Sequence, residues 1–157
     1  MSVVEERLAE LGLTVPEVVP PVAAYTPAVV DGSRVYVSGQ LPMRAGALVA
    51  TGQVGEGDGL VESALAKDAA QQCALNAIAA IKSVVGDLDR VARIVKVVGF
   101  VASDPGFTGQ PFVVNGASEL FGHAFAEKGI HARSAVGVVA LPLGASVEVE
   151  VIAHLED

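Results

Sequence analysis

The chain has 157 residues, of which 52% are hydrophobic and only 18% are charged. Chains of this length usually form one hydrophobic core, so we expect a single domain over residues 1–157. The formal net charge of −8, together with five Phe, two Tyr and no Trp, argues against nucleic-acid binding, because such surfaces combine basic side chains with stacking aromatic rings. No apolar run approaches the ~20 residues of a membrane-spanning helix, which argues against a membrane protein.

The beginning of the chain and its single cysteine narrow the possibilities further. Residues 1–12 alternate Glu and Arg with Val and Leu, unlike the basic start and apolar block of a signal peptide, so we expect a cytoplasmic protein. Cys73 is the only cysteine, so neither an intrachain disulfide nor a cluster of thiolate metal ligands can form. The sequence contains no motif typical of nucleotide, dinucleotide, serine-hydrolase or zinc-protease sites, and its three His are scattered. We therefore expect no metal and no cofactor.

The first half of the chain predicts a short helix, a connector and a hairpin. Residues 2–12 carry apolar side chains at helical spacing and end on a glycine. Residues 14–27 contain four Pro, which predicts an extended connector. Asp31-Gly32 is a strong turn signal and predicts a hairpin whose second strand spans 35–39. A short strand and a flexible Gly-rich loop are predicted next, at 48–50 and 52–59.

The second half predicts two longer helices and three strands. Residues 60–85 have a helical pattern and are followed by a glycine as a stop signal. Residues 93–102 are dense in Val and Ile without helical periodicity, which favours a central strand. Residues 112–128 predict a second helix, and 134–141 and 146–154 predict two strands. The apolar face of the first long helix comprises Leu65, Ala69, Cys73, Ala77, Ile81 and Val84, which indicates that the cysteine is buried and not catalytic.

The order of these elements predicts an α+β fold with a mixed β-sheet and both long helices packed on one face. The other face of the sheet would then expose apolar side chains, since nothing else in the chain is predicted to cover it. We expect this face to be covered by self-association around a symmetry axis, so the chain should form a homo-oligomer.

Arg133 and a pair of glutamates are the candidate chemical groups. The planar guanidinium of Arg133, at the start of an apolar strand, would suit bidentate binding of a carboxylate. On pattern alone, an exposed strand-end arginine or an ion pair with Glu148 or Glu150 is the commoner explanation. The two glutamates share one face of the last strand because they are two residues apart. They indicate either a solvated sheet edge or a polar pocket where burial raises a pKa, and spacing alone favours the edge.

Two segments of the sequence resemble the YjgF/RidA family, whose members are also called endoribonuclease L-PSP-like. Residues 35–42, VYVSGQLP, are similar to the family's strand ending in S-G-Q-x-P. Residues 132–134, ARS, followed by Leu141-Pro142 and by VEVE at 147–150, are similar to its closing pattern. The similarity covers roughly residues 25–153. It implies a chorismate-mutase-like fold and a homotrimer whose sheets form a barrel with ligand clefts between subunits.

The resemblance also implies a function and a set of site residues. Well-studied members hydrolyse 2-aminoacrylate-type enamines and imines to 2-keto acids and ammonia without a cofactor. By position, Arg133 matches the arginine that binds the substrate carboxylate, assisted by the backbone N–H of Ala135. Glu148 matches the carboxylate that positions or activates the attacking water. Other positions that match the family's cleft are Tyr25, Ser38, Gly39 and Asn115.

The chain departs from the family pattern in ways that indicate a divergent branch. An N-terminal extension, residues 1–24, precedes the matched region. His131 stands where the family usually has Pro, and Ala135 stands where many members have Cys. A non-catalytic trimeric module that binds or senses a small carboxylate is the alternative function from the same fold. RNA cleavage, which the family's second name suggests, fits poorly with a net charge of −8.

Overall fold

Three α-helices and seven β-strands form the regular structure in the computed structural model, which describes residues 1–21 and 23–156. The helices are α1 (Val3–Glu10), α2 (Ser63–Val85) and α3 (Gln110–Phe125). The strands are β1 (Ala28–Asp31), β2 (Arg34–Gln40), β3 (Met43–Arg44), β4 (Ala47–Leu48), β5 (Val91–Ala102), β6 (Ala132–Val138) and β7 (Val147–Leu155). Within these described ranges, no helix is long and apolar enough to cross a bilayer.

Five of the strands form one sheet in the order β1-β2-β7-β5-β6. Neighbouring strands are antiparallel except β5 and β6, which run parallel, so the sheet is mixed as predicted. β7 pairs with both β2 and β5, so Glu148 and Glu150 lie on a central strand. The prediction of a solvated sheet edge for these two glutamates is therefore wrong, because alternation within one strand does not specify which strands become its neighbours.

The helices α2 and α3 pack side by side on one face of the sheet, which confirms the predicted layer. In β7 the odd-numbered residues from Val147 to Leu155 are buried on this face, and the residues between them point to the other face. The two helices touch closely at one point. A Cβ atom on Gly116 of α3 would lie 2.0 Å from the carbonyl oxygen of Lys67 in α2, so the close approach requires glycine.

The helix α1 confirms the predicted N-terminal helix and is fixed at its beginning. Ser2 and Glu5 form a capping box, in which each side chain accepts a hydrogen bond from the other residue's backbone N–H. The carboxylate of Asp89 accepts hydrogen bonds from the N–H groups of Val3 and Val4, at 3.0 and 3.4 Å. Lys82 of α2 forms a 2.5 Å ion pair with Glu5 and, with the Ser2 N–H, lowers the pKa of Glu5 to about 2. The helix is thus tied to α2 and to the turn before β5.

The sheet face opposite the helices is open in a single chain. The register aligns Tyr36 of β2, Ile152 of β7 and Lys96 of β5 across this face. Tyr36 and Val136 are 45% and 43% exposed, which is high for large apolar side chains on a sheet. This open apolar face agrees with the prediction of a surface that needs cover.

Several element boundaries differ from the predicted ones. The long helix begins at Ser63, and Leu65 near its start is exposed because the buried face of this first turn passes through its neighbour Ala66 instead. Val84, also assigned to the apolar face, is exposed at the other end, where Val85 is the buried residue. The helix predicted to reach residue 128 ends at Phe125, and a short 3-10 turn follows. The short strand predicted at 48–50 lies at Ala47–Leu48, and its partner β3 was missed.

Candidate functional site

Arg133 is held by polar groups on the first turns of α3. Its Nη1 donates hydrogen bonds to Oδ1 of Asn115 at 2.8 Å and to Oγ of Ser118 at 3.2 Å. Its Nη2 donates to the carbonyl oxygen of Pro111 at 3.3 Å. A guanidinium has five N–H donors, so three are used by the described residues and two remain for a ligand. The side chain is half-buried and its orientation is fixed before any ligand arrives.

The pairing of β6 with β5 explains why Arg133 points toward α3. The parallel register aligns Arg133 with Val97, whose side chain is fully buried on the helix side of the sheet. Arg133 projects to the same side, and Ala135, two residues later, packs against the core there. The ion pair with Glu148 or Glu150 considered from the sequence is absent from the ion pairs of the described residues.

Glu148 is a half-buried carboxylate on the open side of the sheet. It lies between the buried residues Val147 and Val149 and therefore points away from the helices. Burial raises the pKa of Glu148 above its usual range, and the negative charge of nearby Glu150 raises it further. A carboxyl group with a raised pKa can both give and take a proton closer to neutral pH than an ordinary glutamate can.

Gly39 provides the space that the Glu148 side chain occupies. A Cβ atom on Gly39 would lie 1.8 Å from Oε1 of Glu148, well inside van der Waals contact. The pairing of β2 with β7 is irregular between Val37 and Gln40, which turns the backbone at Gly39 toward the carboxylate. The glycine of the S-G-Q segment is thus explained by close approach of the backbone to a side chain.

Ser38 and Tyr25 lie next to the carboxylate half of the site, which consists of Glu148 and Gly39. The Ser38 hydroxyl donates to the carbonyl oxygen of Thr26 at 2.7 Å, and its N–H donates to the carbonyl oxygen of Pro27 at 2.9 Å. These bonds hold the segment that carries Tyr25 against β2. Tyr25 and Gly39 line the same cavity, which has a volume of about 150 Å³.

The seven residues that the family resemblance selects therefore fall into two groups within one chain. Arg133, Asn115 and Ala135 lie on the helix side, at the edge strand β6. The second group lies around the bulge of β2 and the open side of β7, and comprises Tyr25, Ser38, Gly39 and Glu148. Arg133 and Glu148 project from opposite faces of the sheet, so a single chain does not bring them to one ligand.

Two neighbours of Arg133 were not selected from the sequence. Ser118 stands three residues after Asn115 on the same face of α3, so helical spacing could have identified it. His131 packs its ring edge-to-face against Phe121, with ring centroids 6.1 Å apart. Burial lowers the pKa of His131, and the charge of Arg133 lowers it further. The His131 side chain beside the guanidinium is therefore uncharged at neutral pH.

Cys73 lies on the buried side of α2, as predicted. Its Sγ donates to the carbonyl oxygen of Val147 at 3.7 Å, and complete burial raises the pKa of the thiol, with the charge of Glu148 as a second cause. A thiol with a raised pKa is a poor nucleophile, which supports a packing role. In the part of the chain that the structure describes, no group of three His, Cys, Asp or Glu side chains could hold a metal ion.

Comparisons with known proteins agree on the family. The model of the family described as "YjgF/chorismate mutase-like, putative endoribonuclease" matches residues 5–155. The protein TCP17 of Trypanosoma cruzi is 42% identical over 155 residues, which cover 98% of this chain and 95% of that protein. The crystal structure of Atu1372 from Agrobacterium tumefaciens, described as a protein with unknown function, is 44% identical with a TM-score of 0.89, and the match covers 99% of this chain and 93% of that one.

A more distant relative carries the RidA name itself. The crystal structure of RidA from the Antarctic bacterium Psychrobacter is 29% identical with a TM-score of 0.59, covering 88% of this chain and 94% of that one. The family match spans nearly the whole chain, and the mixed sheet with its helices on one face is the fold that these relatives share. The chain therefore belongs to the YjgF/chorismate mutase-like family.

Proposed function

We propose that this protein hydrolyses 2-aminoacrylate-type enamines and imines to 2-keto acids and ammonia, in clefts between the subunits of a homotrimer. The observation that carries the proposal is the guanidinium of Arg133, which three hydrogen bonds fix in place while two donors remain for a carboxylate. Glu148, with its raised pKa, supplies the second group that the reaction needs.

The anchor accounts for substrate binding. The substrates are small planar molecules with a carboxylate next to the reacting carbon. A guanidinium that binds the carboxylate through two hydrogen bonds therefore also orients that carbon. Asn115 and Ser118 hold the guanidinium, and uncharged His131 beside it adds no competing positive charge. Hydrolysis of an activated imine requires little beyond orientation, a proton carrier and a positioned water.

The carboxyl group accounts for the proton transfers. Protonated Glu148 would donate its proton to C3 of the enamine, which converts the enamine to the imine. The resulting carboxylate would take a proton from water as the water oxygen adds to C2. In the tetrahedral intermediate the hydroxyl proton passes to the amino nitrogen, the C2–N bond breaks to release ammonia, and C2 becomes the ketone carbon of the 2-keto acid. No electrons are exchanged with any partner, so this chemistry needs no cofactor.

A second copy of the chain would complete the site. Arg133 and Glu148 point away from opposite sides of one sheet, and the open face exposes Tyr36 and Val136. Association through that face would cover the apolar surface and could set the edge strand β6 of one subunit beside Glu148 of the next. A closed ring would repeat this contact around its axis, and three is the number of subunits that the family resemblance implies.

The direct test follows ammonia release from enzymatically generated 2-aminoacrylate and 2-iminobutanoate. We expect the protein to accelerate release, and Arg133→Ala to lower kcat/KM about 100-fold or more, as when a bidentate charged contact is lost. Arg90→Ala is the matched control, because Arg90 is exposed in the turn before β5, away from the open face of the sheet, and among the described residues its side chain donates to the carbonyl oxygen of Val85. Equal rates in Arg133→Ala and wild type would contradict the anchor.

A mixing experiment tests the shared cleft. We expect Arg133→Ala and Glu148→Gln each to be inactive alone, but activity to return when the two proteins are unfolded and refolded together. Random assembly would restore about a quarter of the clefts, because each cleft takes its arginine and its glutamate from different subunits. Sedimentation analysis would establish the number of chains. Failure of a folded mixed trimer to regain activity would place both groups in the same subunit's site.

The alternative function, a non-catalytic module that binds a small carboxylate, has its own signature in the same experiments. Such a protein would show heat of binding with 2-oxobutanoate, lost in Arg133→Ala, and no acceleration of ammonia release. Affinity without turnover would therefore replace the deaminase proposal while leaving Arg133 as the anchor.

A further inference from the structure

A small cavity adjoins the carboxylate half of the candidate site. Its volume is about 150 Å³, and Tyr25 and Gly39 are among the residues that line it. The other walls are mainly apolar and come from the connector residues Val19, Pro20 and Pro21, from Leu41 and Met43, and from Leu143. None of the described residues lining it carries a charge. The cavity is thus a mostly apolar recess that opens beside polar groups.

Gly39 joins this cavity to the proposed chemistry. One side of its backbone lines the cavity, and the Glu148 carboxylate fills the space where its Cβ would be. When the reacting carbon of a ligand lies at Glu148, a substituent on the neighbouring carbon can therefore extend into the recess.

Leu143 is the second observation that points to a ligand. It adopts a left-handed backbone conformation, with φ 58° and ψ 15°, which is unfavourable for a branched apolar residue by about 1 kcal/mol or more. Its side chain is also 64% exposed, so the chain gains little from burying it. Neither feature serves the core. The left-handed backbone therefore places the apolar Leu143 side chain at the recess, where a bound ligand would bury it.

The connector gives the recess a rigid wall. Pro20 and Pro21 each have a fixed φ and no N–H that would need a partner, so two consecutive prolines form a stiff apolar surface. The preceding residues Leu13 and Val15 pack against the core and fix the segment in place. The wall therefore depends on the N-terminal extension, which lies outside the region of closest motif similarity.

We propose that this recess is the subsite for the substrate's side chain, and that the protein selects 2-imino acids with apolar side chains up to the size of a phenyl ring. The inference rests on the proposed deaminase function. An apolar cavity of about 150 Å³ can hold a benzene molecule, so leucine-, methionine- and phenylalanine-derived imines fit, whereas the methyl group of 2-iminopropanoate leaves most of it empty. Imines with charged side chains should bind poorly, because none of the described residues lining the recess carries a charge that could pair with them.

The test compares kcat/KM for imines generated by an amino acid oxidase from alanine, leucine and phenylalanine. We expect the leucine- and phenylalanine-derived imines to exceed 2-iminopropanoate by 10-fold or more, since each buried methylene can contribute about that factor. Leu143→Asn keeps a residue that tolerates the left-handed conformation but makes the wall polar, and should lower this ratio at least 10-fold, mainly through KM. Leu143→Gly removes both the apolar side chain and the unfavourable left-handed conformation of leucine. This variant should therefore fold and should also show a lowered kcat/KM ratio. Leu65→Asn, at an exposed leucine of α2 away from the recess, should keep the wild-type ratio.

Two outcomes would overturn the inference, and both differ from failure of the proposed function. One is measurable imine hydrolysis without a preference for large apolar side chains. The other is a preference that both Leu143 variants retain. If no imine is hydrolysed at all, the deaminase proposal fails, and calorimetry with 2-oxobutanoate and phenylpyruvate then decides the recess by itself. Tighter binding of phenylpyruvate that weakens in Leu143→Asn supports the subsite, and equal binding rejects it.

Discussion

The carboxylate of Glu148 occupies the position that a side chain on Gly39 would take, with 1.8 Å between the missing Cβ and Oε1. The sequence segment S-G-Q and the glutamate of the closing V-E-V-E segment are therefore one structural unit, although more than 100 residues separate them.

Gly39→Ala should disable the site while leaving the fold intact. The added methyl group would push the Glu148 carboxyl to another rotamer, at a cost of about 1 kcal/mol, because the clash is with the end of a side chain. A displacement of this size at a catalytic group can lower kcat by about 100-fold. Ammonia release and thermal unfolding together check this. Gly106→Ala is the control, since its Cβ would meet only an ordinary contact at 3.5 Å. A fully active Gly39→Ala would argue that the position of the carboxyl is unimportant.

Glu150→Gln should shift the pH dependence of activity toward lower pH. The charge of Glu150 contributes to the raised pKa of Glu148, so its removal lowers that pKa, although burial, the larger cause, keeps it above the usual range. With an imine as the substrate, the carboxylate form of Glu148 is the one that activates water, so the acidic limb of the kcat/KM profile moves to lower pH by a fraction of a pH unit. A profile that does not move would show that Glu148 does not control this limb.

Glu148→Gln should make the protein more stable at neutral pH while making it inactive. Burial raises the pKa of the folded-state carboxyl above its unfolded value, so the destabilisation is absent at pH below about 4 and develops as pH rises through the raised pKa. The variant should therefore unfold at a higher Tm than wild type at pH 7 and at a similar Tm at pH 4. Calorimetric unfolding of both proteins across that range measures the difference. A difference that grows toward acid would have the wrong sign for a buried carboxylate.

Gly116→Ala should destabilise the fold itself. The added methyl group would meet the backbone of α2 at the Lys67 carbonyl, 2.0 Å away, so the two helices must separate. We expect a loss of about 1–3 kcal/mol in the free energy of unfolding, measured by urea denaturation. Gly122→Ala in the same helix meets nothing within 4 Å and should be neutral or slightly stabilising, because alanine favours helices. Because Asn115 precedes Gly116, the variant should also loosen Arg133.

Glu5→Gln should weaken the attachment of α1 at neutral pH only. The pKa of Glu5 is about 2 in the folded protein, so its ion pair with Lys82 stabilises the fold above pH 4.5 and is lost as pH falls toward 2. The pair is partly exposed, so the loss should be about 1 kcal/mol or less. Faster hydrogen exchange in α1 at pH 7, with wild-type exchange elsewhere, is the expected result. Unchanged exchange in α1 would assign its attachment to Asp89 and apolar packing alone.

The sequence predicted the elements whose signals are local. The hairpin turn and the glycine that ends α2 both depend on signals within a few residues; the glycine lies where predicted, and the turn lies at Gly32-Ser33, one residue after the predicted Asp31-Gly32. The central place of β7 and the parallel pairing of β6 with β5 depend on contacts between distant segments, which no local pattern specifies.

The same distinction applies to the site. The bond from Arg133 to Asn115 requires β6 to lie beside β5 under α3, so the sequence pattern could only name Arg133 as one candidate, and the family resemblance was needed to prefer carboxylate binding over an exposed arginine. The left-handed conformation of Leu143 has no signature in its residue type, since leucine rarely adopts it. The recess beside Gly39 was therefore invisible in the sequence.

The placement of Arg133 and Glu148 on opposite sides of one sheet has a further consequence under the proposed assembly. A subunit that dissociates keeps its fold and both functional groups, yet has no complete cleft. Specific activity should therefore fall on dilution below the dissociation constant of the ring, with no change in circular dichroism, and protein concentration itself would act as the switch between an inert and a working state.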